Sequence, residues 1–247
     1  MDVLEAKGIH VRFGDRVVLE EVDLSVREGE FHGIMGPNGA GKTTFFNVLT
    51  GSVKPARGSV RIGGRDATGF SPPSMAKLGI ARSFQIMNLF DAFSALENVR
   101  LASPSFRSSG FNGFKAAAGH AGLDDEARSL LRDVGLETKA DLPARDLSYG
   151  ERRSLEIAVA LAQRPRVLCL DEPTSGLGSD GITRLAGLIG RLKGRLSILA
   201  IEHDMEFLFG LADRISVMHW GQVIAHGTPD VLRANPWVAR SNLGRLA

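Results

Sequence analysis

Apolar positions along the chain follow two periods. The N-terminal stretches "KGIHVRF" and "RVVLEEVDLSV" alternate in part between apolar and polar residues, which predicts short half-buried strands. "EGEFHGIMG" reads as an apolar strand running into a glycine-rich turn. Beyond that turn, "FFNVLTG" puts Phe45, Val48 and Leu49 on one helical face, with Gly51 as the stop. "GSVRIGGRDATG" predicts another strand and turn. From Gln85 to Ala162 the character changes, and "SALENVRLA", "DDEARSLLRDVGL" and "ERRSLEIAVALAQ" read as helices. Between the first two lies "SPSFRSSGFNGFKAAAGHAG", rich in glycine and serine, whose Phe106, Phe111 and Phe114 either pack a helical lobe or touch a partner. Strands return with "RVLCLDE", "LSILAIEHD" and "ISVMHWGQVIAHG", and "GITRLAGLIGRLK" is a helix between the first two. This alternation predicts a largely parallel α/β sheet, with the middle helices forming a second, smaller lobe.

Composition narrows the classes. The chain has 247 residues, 43% of them hydrophobic and 23% charged, which supports a substantial core and argues against disorder or a fibrous repeat. A formal charge of only +2 is weak evidence for nucleic acid, and no direct nucleic-acid partner is expected. The single cysteine, Cys169, sits in an apolar strand and has no intrachain disulfide partner, which fits a reducing compartment. "MDVLEAKGIHVRFG" has no apolar signal-peptide core, and no run reaches the length of a membrane-spanning helix. A soluble protein that docks on a membrane protein is the expectation.

The chemistry is concentrated in short motifs. Gly36, Pro37, Asn38, Gly39, Ala40, Gly41, Lys42 and Thr43, followed by Thr44, complete the pattern G-x-x-x-x-G-K-S/T between a predicted strand and a predicted helix. Glycines let backbone wrap closely around phosphates, and the helix start offers N–H groups with no partner inside the helix. Lys42 can reach the β- and γ-phosphates, and the Thr43 hydroxyl can face Mg²⁺. Asp171 and Glu172 follow the apolar strand "RVLCL". Asp171 is the natural carboxylate on the Mg²⁺ side, and Glu172 the general base for an attacking water. His203 follows the next strand, and ligands of open α/β sheets gather beyond strand C-termini. A structural role for His203 is the alternative.

Ser148 and Glu151 have S-x-x-E capping-box spacing ahead of the apolar run Leu155, Ala158, Val159 and Ala162. Capping does not account for Gly150 in the first turn, where glycine costs helix stability. A serine and a glycine at an exposed helix start also suit an anion. With one loop already assigned to a triphosphate, this second site can face the nucleotide of another subunit.

Taken together, GPNGAGKTT (36–44), Gln85 in "ARSFQ", LSYGE (147–151), LCLDEP (168–173) and the strand-end His203 resemble the ATP-binding subunits of ABC transporters over nearly the whole chain. The resemblance implies a P-loop NTPase fold of ABC type, α/β with a mixed-sheet core, a strand-rich N-terminal part and a smaller helical lobe. It implies a single ATPase domain over residues 1–247, with 1–84 and 163–247 as the nucleotide-binding core and 85–162 as the helical signature subdomain. ATP and Mg²⁺ are the implied cofactors. Two such subunits, identical or not, pair head to tail, so Ser148, Gly150 and Glu151 would serve the nucleotide of the partner. Gln85 would sense Mg²⁺ and link core to lobe, Glu172 would be the catalytic glutamate, and His203 the switch histidine. Phe13 resembles the aromatic that stacks on adenine, with a plain apolar strand residue as the other reading.

Two positions depart from the family pattern. Tyr149 stands where a second glycine is usual, as it does in branched-chain amino acid importers. Gly178 stands where Asp or Asn is usual, which puts intersubunit coupling in doubt unless Ser179 or Asp180 compensates. "YGERRSLEIAVAL" and "LGIARSFQIMNLFDAFSALENV" are similar to the ATPases of branched-chain amino acid importers and their urea or amide relatives. "AHGTP" is shared with lipopolysaccharide exporters. The implied partners are transmembrane permease subunits and, through them, a periplasmic or extracellular solute-binding protein, with the ATPase peripheral on the cytoplasmic face of the membrane. The implied cycle is ATP-driven dimer closure, in-line attack of water on the γ-phosphate, and reopening, which the permease converts into alternating access. A soluble ABC ATPase in DNA maintenance or translation is the alternative from another class. It would call for a coiled-coil insertion, zinc-cysteine modules or tandem ATPase domains, none of which the sequence carries.

Overall fold

The computed structural model describes residues 1–83, 89–104, 106, 121–235 and 238. The chain forms two compact units: the described residues of Met1–Arg82, Arg166–Thr174 and Ile189–Ala247, and those of Ser83–Pro165 and Ser175–Leu188.

The first unit carries every strand of the two sheets. One sheet is antiparallel, in the order β2 (Arg16–Arg27), β1 (Asp2–Phe13), β4 (Arg57–Ile62), β5 (Arg65–Asp66). The other has the order β10 (Gln222–Gly227), β9 (Arg214–His219), β3 (Phe31–Met35), β8 (Ser197–Ile201), β7 (Val167–Asp171), β6 (Ile80–Arg82). All its neighbours are parallel except the β9–β10 pair. Strands β3, β7 and β8 are buried at every position, which is why the sequence shows apolar runs there instead of alternation. In β1 and β2 the register sets Leu4 beside Val26, Ile9 beside Val22 and Val11 beside Leu19, and these residues supply the apolar face. Helix α1 (Lys42–Leu49) adds Phe45, Phe46, Val48 and Leu49 to the same core. Full burial of each phenylalanine stabilises the fold by roughly 1.5–3 kcal/mol. The helix stops where expected. Gly51 has φ +82°, and a Cβ there would lie 2.5 Å from the Phe70 carbonyl oxygen.

The "ISVMHWGQVIAHG" segment forms the β9–β10 hairpin. Trp220 and Gly221 have φ values of +44° and +79°, the two positive angles of a tight type I′ turn. The short helices α2 (Pro72–Lys77), α7 (Met205–Leu211) and α8 (Pro229–Arg233) also belong to this unit.

In the second unit α3 (Ala95–Ala102), α4 (Ala121–Asp133) and α5 (Tyr149–Ala162) pack on one another through buried Leu96, Val99, Ala127, Leu131, Leu155 and Ala158. Ser94 opens α3 with a reciprocal cap. Its Oγ accepts from Glu97 N–H at 3.2 Å, and its own N–H donates to Glu97 Oε2 at 2.7 Å. Helix α6 (Ser179–Leu192) joins the two units in sequence. Among the described residues no helix is long and apolar enough to cross a membrane. Of the three phenylalanines noted in the glycine- and serine-rich segment, Phe111 and Phe114 lie outside the described residues, as does Gln85.

Candidate functional site

The phosphate-loop residues run from the end of β3 into α1, and the loop is wrapped around its own lysine. Lys42 Nζ donates to the Gly36 carbonyl at 2.7 Å and to that of Pro37 at 3.0 Å. Burial lowers the ammonium pKa below its ordinary range, while the nearby Glu172 carboxylate opposes the shift. Close approach explains two glycines. A Cβ at Gly36 would sit 2.2 Å from the Met218 carbonyl oxygen, and one at Gly41 would meet Leu19 Cδ2 at 2.8 Å. Ala40 O accepts from Gly221 N–H at 3.0 Å, so the β9–β10 turn braces the loop. Thr43 is exposed at the start of α1 and Thr44 half-buried. Phe13, the last residue of β1, is exposed.

Asp171 ends β7, is buried, and accepts from Arg82 Nη2 at 2.7 Å. The same guanidinium donates to Asn47 Oδ1 at 2.6 Å and Thr50 Oγ1 at 3.1 Å, which ties strand β6 to α1 and β7. Among the described residues no cluster of three or more His, Cys, Asp or Glu is arranged around a metal. A threonine hydroxyl and one carboxylate nevertheless fit Mg²⁺, which takes one or two protein oxygens and fills its octahedron with phosphates and water.

Glu172 is one of the few non-glycine residues with positive φ, at +46°. Such backbone costs on the order of 1–3 kcal/mol and tends to mark sites where a side chain must be aimed. Glu172 N–H donates to the Ile201 carbonyl at 2.9 Å, which fixes the strand-end turn against β8. His203 Nε2 lies 2.9 Å from Glu172 Oε1. The carboxylate can only accept, so this nitrogen carries the proton and donates. Residues 31 positions apart are joined because β7 and β8 are parallel neighbours whose C-terminal ends coincide.

In the second unit, Ser148 caps α5. Its N–H donates to Glu151 Oε2 at 3.0 Å, and Glu151 also holds Lys139. The hydrogen bond from Lys139, then that from Ser148 N–H, lowers the Glu151 pKa below its ordinary value. Glu151 is therefore engaged within its own chain. Gly150 has space around it, and a Cβ there would meet only Leu177 Cδ2, at 3.6 Å. The ring of Tyr149 lies across Gly176, whose φ is +74° and whose Cβ would fall 2.9 Å from Tyr149 Cε1. Its hydroxyl donates to the Ser175 carbonyl at 3.3 Å. Gly178 O accepts from Ile182 N–H at 3.0 Å, which makes Gly178 the N-cap of α6, and a Cβ there meets nothing within 4 Å.

The family described as "ABC transporter" matches residues 19–175 of this chain. The chain belongs to the ABC transporter family. As a member it is the ATP-binding and ATP-hydrolysing subunit of a transporter. The high-affinity branched-chain amino acid transport ATP-binding protein LivG of Salmonella typhimurium is 38% identical, with 98% of each chain covered. BraF of Pseudomonas aeruginosa, of the same description, is 37% identical with 98% of each covered. Among solved structures, the ADP conformation of an ATP-binding cassette of an ABC transporter superposes with a TM-score of 0.86, at 28% identity and 99% coverage of both chains.

In this ABC subunit the first unit brings together Lys42, Glu172 and His203 through one hydrogen bond and one electrostatic contact. Asp171 precedes Glu172 at the same strand end. Ser148 and Gly150 belong to the second unit, and Gln85 lies outside the described residues. Glu202, a buried carboxylate beside His203, is not among the residues that the motifs point to. Its only signal is an acidic residue at the end of a wholly buried strand.

Proposed function

We propose that this ABC ATPase powers uptake of branched-chain or related amino acids, as a peripheral subunit on the cytoplasmic face of the membrane. Similarity over the full length to LivG and BraF supports the substrate class. The observation that carries the enzymatic part is the 2.9 Å pair of His203 and Glu172 at the strand ends beside the phosphate loop. Residues 36–44 bind the triphosphate, with Lys42 against its β- and γ-phosphates and Phe13 against the adenine. Thr43, Asp171 and Gln85 would hold Mg²⁺. When bound, the ion neutralises charge that builds on the phosphate oxygens. Glu172 takes a proton from the attacking water at a carboxylate oxygen. His203, donating through Nε2, holds that carboxylate in place. Ser148 and Gly150 close on the nucleotide of a second ATPase subunit, head to tail, so each site is completed by the other. Permease subunits and a solute-binding protein supply substrate selection.

The test is co-expression with candidate permease subunits and reconstitution in proteoliposomes. Branched-chain amino acid uptake that requires ATP and stops in Glu172→Gln supports the proposal. Transport of urea or amides alone, or lipopolysaccharide release, would redirect the substrate assignment. ATP hydrolysis with no permease partner would remove the transport role.

A further inference from the structure

We infer that Glu202 is a positioning residue for hydrolysis, the group that sets the loop of Glu172 and the loop of His203 relative to each other. This rests on the roles proposed above for those two residues.

Glu202 follows directly on β8 and is 1% exposed, yet it carries a carboxylate into the core. Both of its oxygens are used. Oε1 accepts from Thr174 N–H at 2.7 Å, two residues beyond Glu172. Oε2 accepts from His203 N–H at 2.9 Å and from Asp204 N–H at 3.3 Å. Its own N–H donates to the Ile34 carbonyl at 3.1 Å, on the strand that leads into the phosphate loop. One residue therefore joins three strand ends: β3, the turn after β7 and the turn after β8.

A buried carboxylate is costly unless donors surround it, and here the donors are backbone groups of the two loops in question. An apolar residue here would leave the N–H groups of Thr174, His203 and Asp204 without this acceptor. An acceptor with two oxygens is what lets one side chain hold N–H groups from two separate loops at once. Glutamine cannot replace it. Its amide has one oxygen, so its NH₂ would be turned against either Thr174 N–H or the N–H groups of His203 and Asp204. The turns would shift by a fraction of an ångström, and the 2.9 Å contact between His203 and Glu172 would loosen. The Lys42 ammonium is held by the carbonyls of Gly36 and Pro37 and not by this carboxylate, so nucleotide binding is spared.

The test compares Glu202→Gln with Ser216→Ala, a change at another buried polar residue of the same sheet, in the assembled transporter. ATP affinity, KM and kcat are measured, with kcat normalised to stoichiometric nucleotide binding so that loss of folded protein is not counted as loss of rate. Glu172→Gln and His203→Ala are run beside them. Glu202→Gln is expected to lose kcat on the order of 100-fold while ATP affinity stays within about twofold. Ser216→Ala should keep the normalised kcat. If Glu202→Gln keeps wild-type kcat while Glu172→Gln and His203→Ala are inactive, Glu202 is structural only and the inference is overturned. If Glu172→Gln and His203→Ala also keep wild-type kcat, the site assignment itself fails and Glu202 has nothing to position. Should Glu202→Gln not fold, Glu202→Asp, too short to reach both loops, carries the same expectations.

Discussion

Among its described residues the first unit contains two pairs of a histidine and a glutamate, and they live in opposite surroundings. His32 and Glu30, at the start of β3, have side chains 1% and 5% exposed, with Nδ1 and Oε1 3.3 Å apart. His203 and Glu172, past the ends of β8 and β7, are 42% and 22% exposed and 2.9 Å apart. The first pair is saturated by protein: His32 Nε2 bonds Ser216 Oγ at 2.9 Å, Glu30 Oε2 accepts from Arg27 N–H at 2.7 Å, and Arg214 approaches Glu30 Oε1 at 3.5 Å. The second pair opens toward solvent and hangs on a residue with left-handed backbone. Identical functional groups thus act as mortar in one place and, in the mechanism proposed above, as reagents in the other. Access and backbone placement separate them, and residue type does not.

That contrast can be broken from either side. The largest effect is expected from Glu172→Gln, which keeps shape and removes the base. ATP turnover should fall about 10²- to 10⁴-fold, with Tm unmoved, by phosphate-release assay and calorimetry. His32→Ala should do the reverse. It leaves Glu30 without its neutral partner and opens a hole in the sheet, so stability should fall by roughly 2–3 kcal/mol in urea unfolding, with unchanged turnover per folded molecule. A loss of turnover there would erase the distinction.

A subtler difference is in pH. Burial first, then the nearby Arg214 and His226, hold the His32 pKa below its ordinary value of 6.5, against the pull of Glu30. Between that lowered value and 6.5 the unfolded chain binds more protons than the folded one. The stability associated with neutral His32 is therefore complete above 6.5 and is lost as pH falls through that window. Glu30 adds to the acid limb at lower pH. Burial pushes its carboxyl up, but hydrogen bonds from His32 and Arg27 N–H prevail and hold it below its ordinary value of 4.5. His32→Gln should flatten the slope just below 6.5, by at most about 1.4 kcal/mol per pH unit, in urea midpoints measured against pH. The smallest effect sets the floor for reading the others. Gly178→Asp touches neither pair and places a side-chain acceptor at the N-cap of α6, so thermal unfolding should show a gain of a few tenths of a kcal/mol.

The phosphate loop is legible in the sequence because its function is local: nine consecutive residues between a strand and a helix make the cradle. Asp171 and Glu172 are legible for the same reason, as carboxylates at the end of an apolar run. The bond between Glu172 and His203 is not, since it depends on β7 and β8 being neighbours in the sheet, and sheet order is not written in any one segment. Glu202 escapes notice because "IEHD" looks like a polar exit from a strand, whereas the first of its acidic residues points inward. Trp220 hides a turn, since an aromatic at positive φ is unusual and the apolar pattern runs on across it. Helices α2, α7 and α8 span two turns or fewer and show no period. The residues that start them, Ser71 with Pro72, Asp204, and Thr228 with Pro229, are the available signs.

The hairpin turn holds one more use. Gly221 bonds the phosphate loop at Ala40 and receives Glu20 N–H at 3.0 Å, and there is no room for a Cβ, which would lie 2.3 Å from the Val18 carbonyl oxygen. Its neighbour Trp220 meanwhile lies open to water. Tryptophan occurs only twice in the chain, the other being Trp237. With Trp237 replaced by phenylalanine, the remaining indole becomes a lamp mounted one residue from the brace of the nucleotide cradle. Filling and emptying of that cradle can then be sought in its emitted light, in the isolated unlabelled subunit.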